Sequence, residues 1–146
     1  MKGYVSIHKT GDRQIFANMS KFRIYARLQG FISEVFFHQG QSALDATFAL
    51  MASLDPPYID YILDMRFSEE FPYDIFQLWK RKALEFLSEY PQTYAVAVTE
   101  PDSPLWLQVS GWKELFEGHG HRILGTFETP EKAEAFLDKL RKARPS

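Results

Sequence analysis

The sequence contains no cysteine, which removes disulfides, thiolate metal ligands, cysteine nucleophiles and thiol redox switching from consideration. Neither charge is in excess: 17 Lys and Arg stand against 19 Asp and Glu, a formal net charge of -2. No block of one sign occurs, so the electrostatic footprint of a nucleic-acid binder is missing. The densest basic runs, Lys80 to Lys82 and Lys139 to Arg144, fall on helical patterns with acidic neighbours and read as solvated faces. Long apolar runs are lacking too. None approaches the roughly 18 to 20 residues that span a bilayer, and Met1 to Thr10 has no hydrophobic signal core. A cytoplasmic protein without a membrane span is expected. The serine-hydrolase elbow, the phosphate-cradling glycine loop and the dinucleotide glycine fingerprint are also absent, so no cofactor is expected and catalysis has no positive sign.

What is present is an ordinary globular composition. The chain has 146 residues, 45% hydrophobic and 25% charged, enough for one domain to bury a core unaided. Phe22 to Gln29 alternates so that Phe22, Ile24, Ala26 and Leu28 share one side of a strand ended by Gly30. Tyr4 to His8 and Gln14 to Ala17 suggest two shorter strands before it, with turn residues at Lys9 to Asp12. Phe31 to His38 reads as strand or helix. Gly40 to Ser42 looks like the cap of a helix from Ala43 to about Leu54, with Leu44, Phe48, Met51 and Leu54 buried.

Asp55, Pro56 and Pro57 stop that helix. Tyr58 to Met65 is nearly continuously apolar, as expected of a central strand covered on both faces. Ile75 to Tyr90 has a helical period closed by Pro91, and Thr93 to Thr99 is a second continuous strand. After a turn at Glu100 to Pro104, one amphipathic helix is expected to bury Leu105, Val109, Trp112 and Phe116. Arg122 to Phe127 supplies a strand, and Thr129 then caps a helix with Pro130 at its first position and Ala133, Phe136, Leu137 and Leu140 inward. This order predicts a single α/β domain over 1–146: a mainly parallel or mixed sheet of four to six strands with helices packed on it. Its core lies at 22–141, and 1–21 form N-terminal strands or an extension.

Ligands of open α/β sheets collect at the carboxyl ends of the strands. There the central strand offers Asp64, Arg66, Ser68, Glu69 and Glu70. A carboxylate beside a guanidinium can orient a ligand or a phosphoryl group, but the favoured reading is a structural ion pair and a helix-capping loop. His119 and His121 flank Gly120 and are two ligands short of a metal site, so none is assigned. His38 reads as a hydrogen-bonded boundary residue. Aromatics reach 16%, and Phe31, Phe36, Phe37, Trp106 and Trp112 together exceed what a small core easily hides. Core packing is expected for most of them, and contact with a partner subunit or an apolar ligand for some.

Three patches carry a family resemblance: Ala26 to Ser33, a strand ending in Gly-Phe-Ile-Ser; Tyr61 to Arg66, Tyr-Ile-Leu-Asp-Met-Arg; and Phe127 to Leu137. With the elements between them, over about 22–141, the chain resembles the STAS-like domains, the sulphate-transporter and anti-sigma-factor-antagonist group, in its small bacterial, SpoIIAA-like form. The resemblance implies a signalling role in which the aspartate ending the central strand precedes an Asp-Ser-Gly type motif with a phosphorylated serine. Asp64 matches that aspartate. Met65, Arg66, Phe67 and Ser68 do not reproduce the motif, and Ser68 is the nearest serine.

Three readings follow. The first is a non-catalytic regulatory or protein-interaction module that binds through the loop after the central strand and the helix beginning near Ile75. The second is a binder of a small apolar or anionic, lipid-like ligand, with Arg66, Trp79, Trp106 and Trp112 around its pocket. The third is an enzyme using Asp64, Glu69, Glu70 or the histidines as acid and base. For the first two readings together, the expected ligand or partner residues are Asp64, Arg66, Ser68, Trp79, Trp106 and Trp112, with a homodimer among the expected partners.

Overall fold

In a computed structural model, which describes residues 2–10, 13–116 and 118–143, β1 (Val5–Lys9), β2 (Arg13–Asn18) and β3 (Arg23–Gly30) form an antiparallel meander. Then β4 (Ile59–Ser68), β5 (Thr93–Val98) and β6 (Ile123–Phe127) each add in parallel, so one six-stranded mixed sheet runs β1-β2-β3-β4-β5-β6. The turn expected at Lys9 to Asp12 includes Gly11 and Asp12, and the last basic run includes Arg144. All three residues lie outside the described ones.

Each parallel strand is laid beside the one before it, and the right-handed rule for such crossovers sends every connection over the same face. Accordingly α1 (Glu34–Ala52), α2 (Tyr73–Glu89), α3 (Pro104–Val109) and α4 (Trp112–Leu115) share one core with Ile15, Ile24, Ala26, Leu28, Ile59, Leu63 and Met65 from the sheet. The other face carries α5 (Pro130–Ala143) alone, which packs on β4, β5 and β6 and buries Ala133 and Leu137 against Tyr25, Ile62, Val96 and Val98. Strand β3 meets α5 through Tyr25 and Arg23, while β1 and β2 lie beyond the strands on which α5 mainly packs. Period-two alternation along β4 explains how one strand serves both layers: Ile59 and Leu63 enter the larger core, Ile62 the smaller. Ile62 is fully buried and pairs with Tyr25 on β3 and Val96 on β5, in the middle of the sheet as its composition predicts.

Four expectations need correction. The first helix begins nine residues ahead of Ala43, with Ser33 as its N-cap accepting from Phe36 N at 3.3 Å. Gly40 sits inside it because a β-carbon there would overlap the Arg13 guanidinium. The glycine admits a buried side chain rather than starting a helix. Leu54, placed in that helix's buried stripe, lies beyond its end and is exposed. The helix after Pro104 breaks at Ser110 and Gly111 into α3 and α4, although Leu105, Val109, Trp112 and Phe116 are all buried as their spacing suggests. On α5, Thr129 Oγ1 accepts from Lys132 N at 3.2 Å, and Phe136 is more exposed than its place in the pattern implied.

Candidate functional site

The carboxyl end of β4 is built around one saturated carboxylate. Asp64 is fully buried. Its Oδ1 accepts from Arg66 N at 3.2 Å and Arg66 Nε at 3.0 Å, and its Oδ2 from Arg66 Nη2 at 2.9 Å and from the Tyr25 hydroxyl. The register between β3 and β4 slips here, with Arg27 opposite Asp64 but Gln29 opposite Phe67. This bulge takes the residues between out of regular pairing, and the Asp64 side chain meets Arg66 N–H in place of a strand carbonyl. Burial raises the Tyr25 hydroxyl above its ordinary pKa, and the hydrogen bond to Asp64 adds to the rise. The same carboxylate, through its hydrogen bonds, raises Arg66. With four donors on two oxygens, Asp64 has no lone pair left for a reacting proton.

Arg27 stands on the same face, one strand away. Its guanidinium packs on Phe67 at 4.1 Å from the ring centroid, with Arg66 over that ring at 4.8 Å. Beside these groups, between β1 to β3 and the start of α5, opens a groove of about 550 Å³. Its walls are Tyr4, Ser6, Gln14, Phe16, Tyr25, Arg27, Arg66, Pro130 and Glu131.

The loops leaving β3 and β4 lie side by side. Gly30 pairs with Ser68, and Glu69 N donates to Gly30 O at 3.0 Å. Gln108 clamps the next turn through Phe71 N and O at 2.7 and 2.8 Å. Along this rim Phe31, Val35, Phe36, Phe67 and Tyr73 are exposed, Tyr73 by 79% and Val35 by 65%. Between the starts of α1 and α2 runs a shallow groove of about 380 Å³ bounded by Glu34, Tyr73, Asp74, Gln77, Leu78 and Arg81. Glu69 and Glu70 are exposed in the adjoining loop.

The structure thus brings together Asp64 and Arg66, with Ser68 two residues on, where its hydroxyl donates to Glu69 O at 2.8 Å. It separates them from the tryptophans. Trp79 and Trp112 are buried across the sheet and line a crevice of about 40 Å³, and a neighbouring one beside Trp79 holds about 30 Å³. Each has room for a water and none for an organic ligand. Trp106 is half-buried on α3, its backbone N–H capped by Ser103 Oγ at 3.0 Å. Arg66, Trp79, Trp106 and Trp112, expected around one pocket, do not share one: Arg66 lines the open groove, and Trp79 and Trp112 the small crevice. His119 Nδ1 lies 2.7 Å from Arg122 Nη2, and Arg122 also donates to the carbonyls of Leu87, Tyr90 and Thr93. His119 thereby belongs to a structural clasp between α2 and β5. Among the described residues no three His, Asp or Glu side chains are grouped to hold a metal ion, and no helix is long and apolar enough to cross a membrane.

Sequence reasoning missed Tyr25 and Arg27, although the alternation that sends Ile24, Ala26 and Leu28 one way sends Arg23, Tyr25 and Arg27 the other. It also missed a buried network at the opposite end of the sheet. There Arg23 and Arg141 both donate to Asp60, Arg23 also reaches Glu134 and Asp138, and Lys21 bridges Asp138 at 3.2 Å. The Arg141 guanidinium stacks on Tyr58 at 3.7 Å. This network fastens α5 to β3 and β4.

Compared with known proteins, the chain matches no family model, no curated protein and no solved structure. Fold and site define a mixed α/β sheet with a polar cluster, a groove and an apolar rim at the carboxyl ends of its strands.

Proposed function

We propose that this chain is a non-catalytic protein-interaction module, a cytoplasmic regulator of the STAS-like signalling type that the resemblance implies, and that it docks its partner on the rim at the carboxyl ends of β3 and β4. The observation that carries this reading is the rim's composition. Phe31, Val35, Phe36, Phe67 and Tyr73 are large, apolar and exposed within two short stretches of chain, and Glu34, Glu69, Glu70 and Asp74 are interleaved with them. Exposed apolar side chains in such a group mark interaction surfaces. The carboxylates select a partner segment with basic and apolar residues, and they disfavour an anionic membrane. The saturated Asp64 supports a non-catalytic reading, because its oxygens are committed to Arg66 and Tyr25. Ser68 lies at the edge of this rim, where phosphorylation would add to its negative charge.

The test compares affinity capture from the native host by the wild-type chain and by a Phe36→Ser, Tyr73→Ser double variant, with sedimentation of each alone. The reading expects a protein retained by the wild type, lost from the variant and released by salt, since exposed charge pairs are screened within about 10 Å at 0.1 M. The same retained set on both baits overturns it. Self-association abolished by the variant, with no other protein captured, would assign the rim to a homodimer instead.

A further inference from the structure

We propose that the groove between β1 to β3 and the start of α5 binds a small monocarboxylate with a flat apolar body, held by Arg27. The groove meets the docking rim at Phe67, the ring beneath Arg27, and its volume of about 550 Å³ falls within the range of small-molecule sites.

Its charges set the headgroup. Two guanidinium groups line it, but they are not equivalent. Arg66 is engaged by Asp64 through Nε and Nη2, so its charge is already matched. Arg27 is in ion-pair contact with no carboxylate among the described residues, and its Nε is buried without a hydrogen-bond acceptor. Arg27 lines the groove, and a carboxylate is the acceptor whose two oxygens fit a guanidinium edge. The Phe67 ring, 4.1 Å from the Arg27 guanidinium carbon, holds that plane in place. One unmatched cation calls for one negative charge. Glu131 on the same wall disfavours a di- or triphosphate.

The walls set the body. Phe16 and Tyr25 lie 5.9 Å apart between ring centroids, Tyr4 adds an edge at 6.3 Å from Tyr25, and Pro130 closes the far side. Tyr4, Phe16 and Tyr25 pack on one another tilted or edge-on, which gives the groove an aromatic wall against which a ring can lie. Ser6 and Gln14 supply hydrogen-bonding groups for a polar substituent.

The experiment titrates the full chain with 2-naphthoate, following saturation-transfer NMR of the ligand. Its neutral analogue 2-naphthamide and inorganic phosphate are run as separate arms. Saturable naphthoate binding is expected. It should weaken about tenfold or more in Arg27→Gln, as expected for a lost charge-assisted hydrogen bond, and it should partly return in Arg27→Lys. Naphthamide and phosphate are each expected to bind at least about tenfold more weakly than naphthoate. Ser6→Trp, a change at an exposed position of β1, fills the groove without disturbing the core and is expected to abolish binding even if Arg27→Gln does not fold. No saturable binding by the wild type, unchanged affinity in Ser6→Trp, or phosphate binding as tight as naphthoate each overturns the proposal. The rim variant Tyr73→Ser should bind naphthoate like the wild type, which keeps this result separate from the docking test.

Discussion

Arg66 folds back on the residue two places before it: its Nε lies 3.0 Å from Asp64 Oδ1 and its Nη2 2.9 Å from Asp64 Oδ2. The two partners are unequal, because Asp64 is fully buried whereas the Arg66 side chain retains 23% of its exposure along the groove. Truncating each therefore has a different consequence. Arg66→Met strands a buried carboxylate with Tyr25 as its remaining side-chain donor and is expected to cost about 3 to 5 kcal/mol. Asp64→Ala leaves a guanidinium that can turn toward water and is expected to cost about 1 to 3 kcal/mol, mostly through the unpaired Tyr25 hydroxyl. Urea unfolding of the two variants checks the order, and an equal or reversed loss contradicts this account of the pair.

The network at the other end of the sheet gives stability a dependence on acid. Burial acts to raise the Asp138 carboxyl, but hydrogen bonds from Arg23 and Lys21 outweigh it and hold the group below its ordinary value. A carboxyl depressed in the folded state contributes stability that is present above its unfolded value of about 3.9 and is lost as the pH falls through the folded value. Arg23→Met removes the cation shared by Asp60, Glu134 and Asp138. It should cost about 3 to 5 kcal/mol at neutral pH, with the gap to wild type narrowing as Asp138 is protonated. Unfolding free energies measured down the acid limb test this, and a pH-independent gap would rule out the electrostatic origin.

Alkali is expected to act through tyrosine. Burial pushes Tyr61 up to about 12, against a smaller opposing effect of Arg13. Tyr25 and Tyr4 are raised as well, first by burial and then by Asp64 and Glu134 respectively. A group raised in the folded state contributes stability fully present below its unfolded value, about 10 for tyrosine, and lost as the pH climbs through the folded value. Ultraviolet titration should show a delayed tyrosine class ionising together with unfolding. Reversible ionisation of every tyrosine near pH 10 in a folded chain, the ordinary value, would contradict the buried setting.

Gly40 offers a packing test. A valine there would drive its branches into the buried Arg13 guanidinium, and overpacking of this kind costs about 1 to 3 kcal/mol despite the poor helix propensity of the glycine it replaces. Thermal unfolding of Gly40→Val reads the loss, and an unchanged midpoint would show that Arg13 yields freely.

How much of this was legible in the sequence follows from the range of each signal. Ile62's position was readable because a continuous apolar run has only one comfortable place, between two layers. Asp64 and Arg66 were readable as neighbours because residues two apart on a strand share a side. The start of α1 was misread because Gly40 resembles a cap locally, while its reason, the side chain of Arg13, lies on another strand. Trp79 and Trp112 were grouped with Arg66 because the sequence does not say which face α2 and α4 cover. That follows from the order in which β4, β5 and β6 are added. Asp60 and Arg23, 37 residues apart, meet only once β3 and β4 are in register.

The claim that matters most is that the rim docks a protein, and site-specific photo-crosslinking tests it directly. A photoreactive residue placed at Tyr73, on the rim, is compared in the native host with one at Leu84, also exposed on α2 but outside the rim groove. A discrete adduct to a different protein at position 73, missing at position 84, is the expected result. No adduct at position 73, or the same adducts at both positions, would contradict the claim.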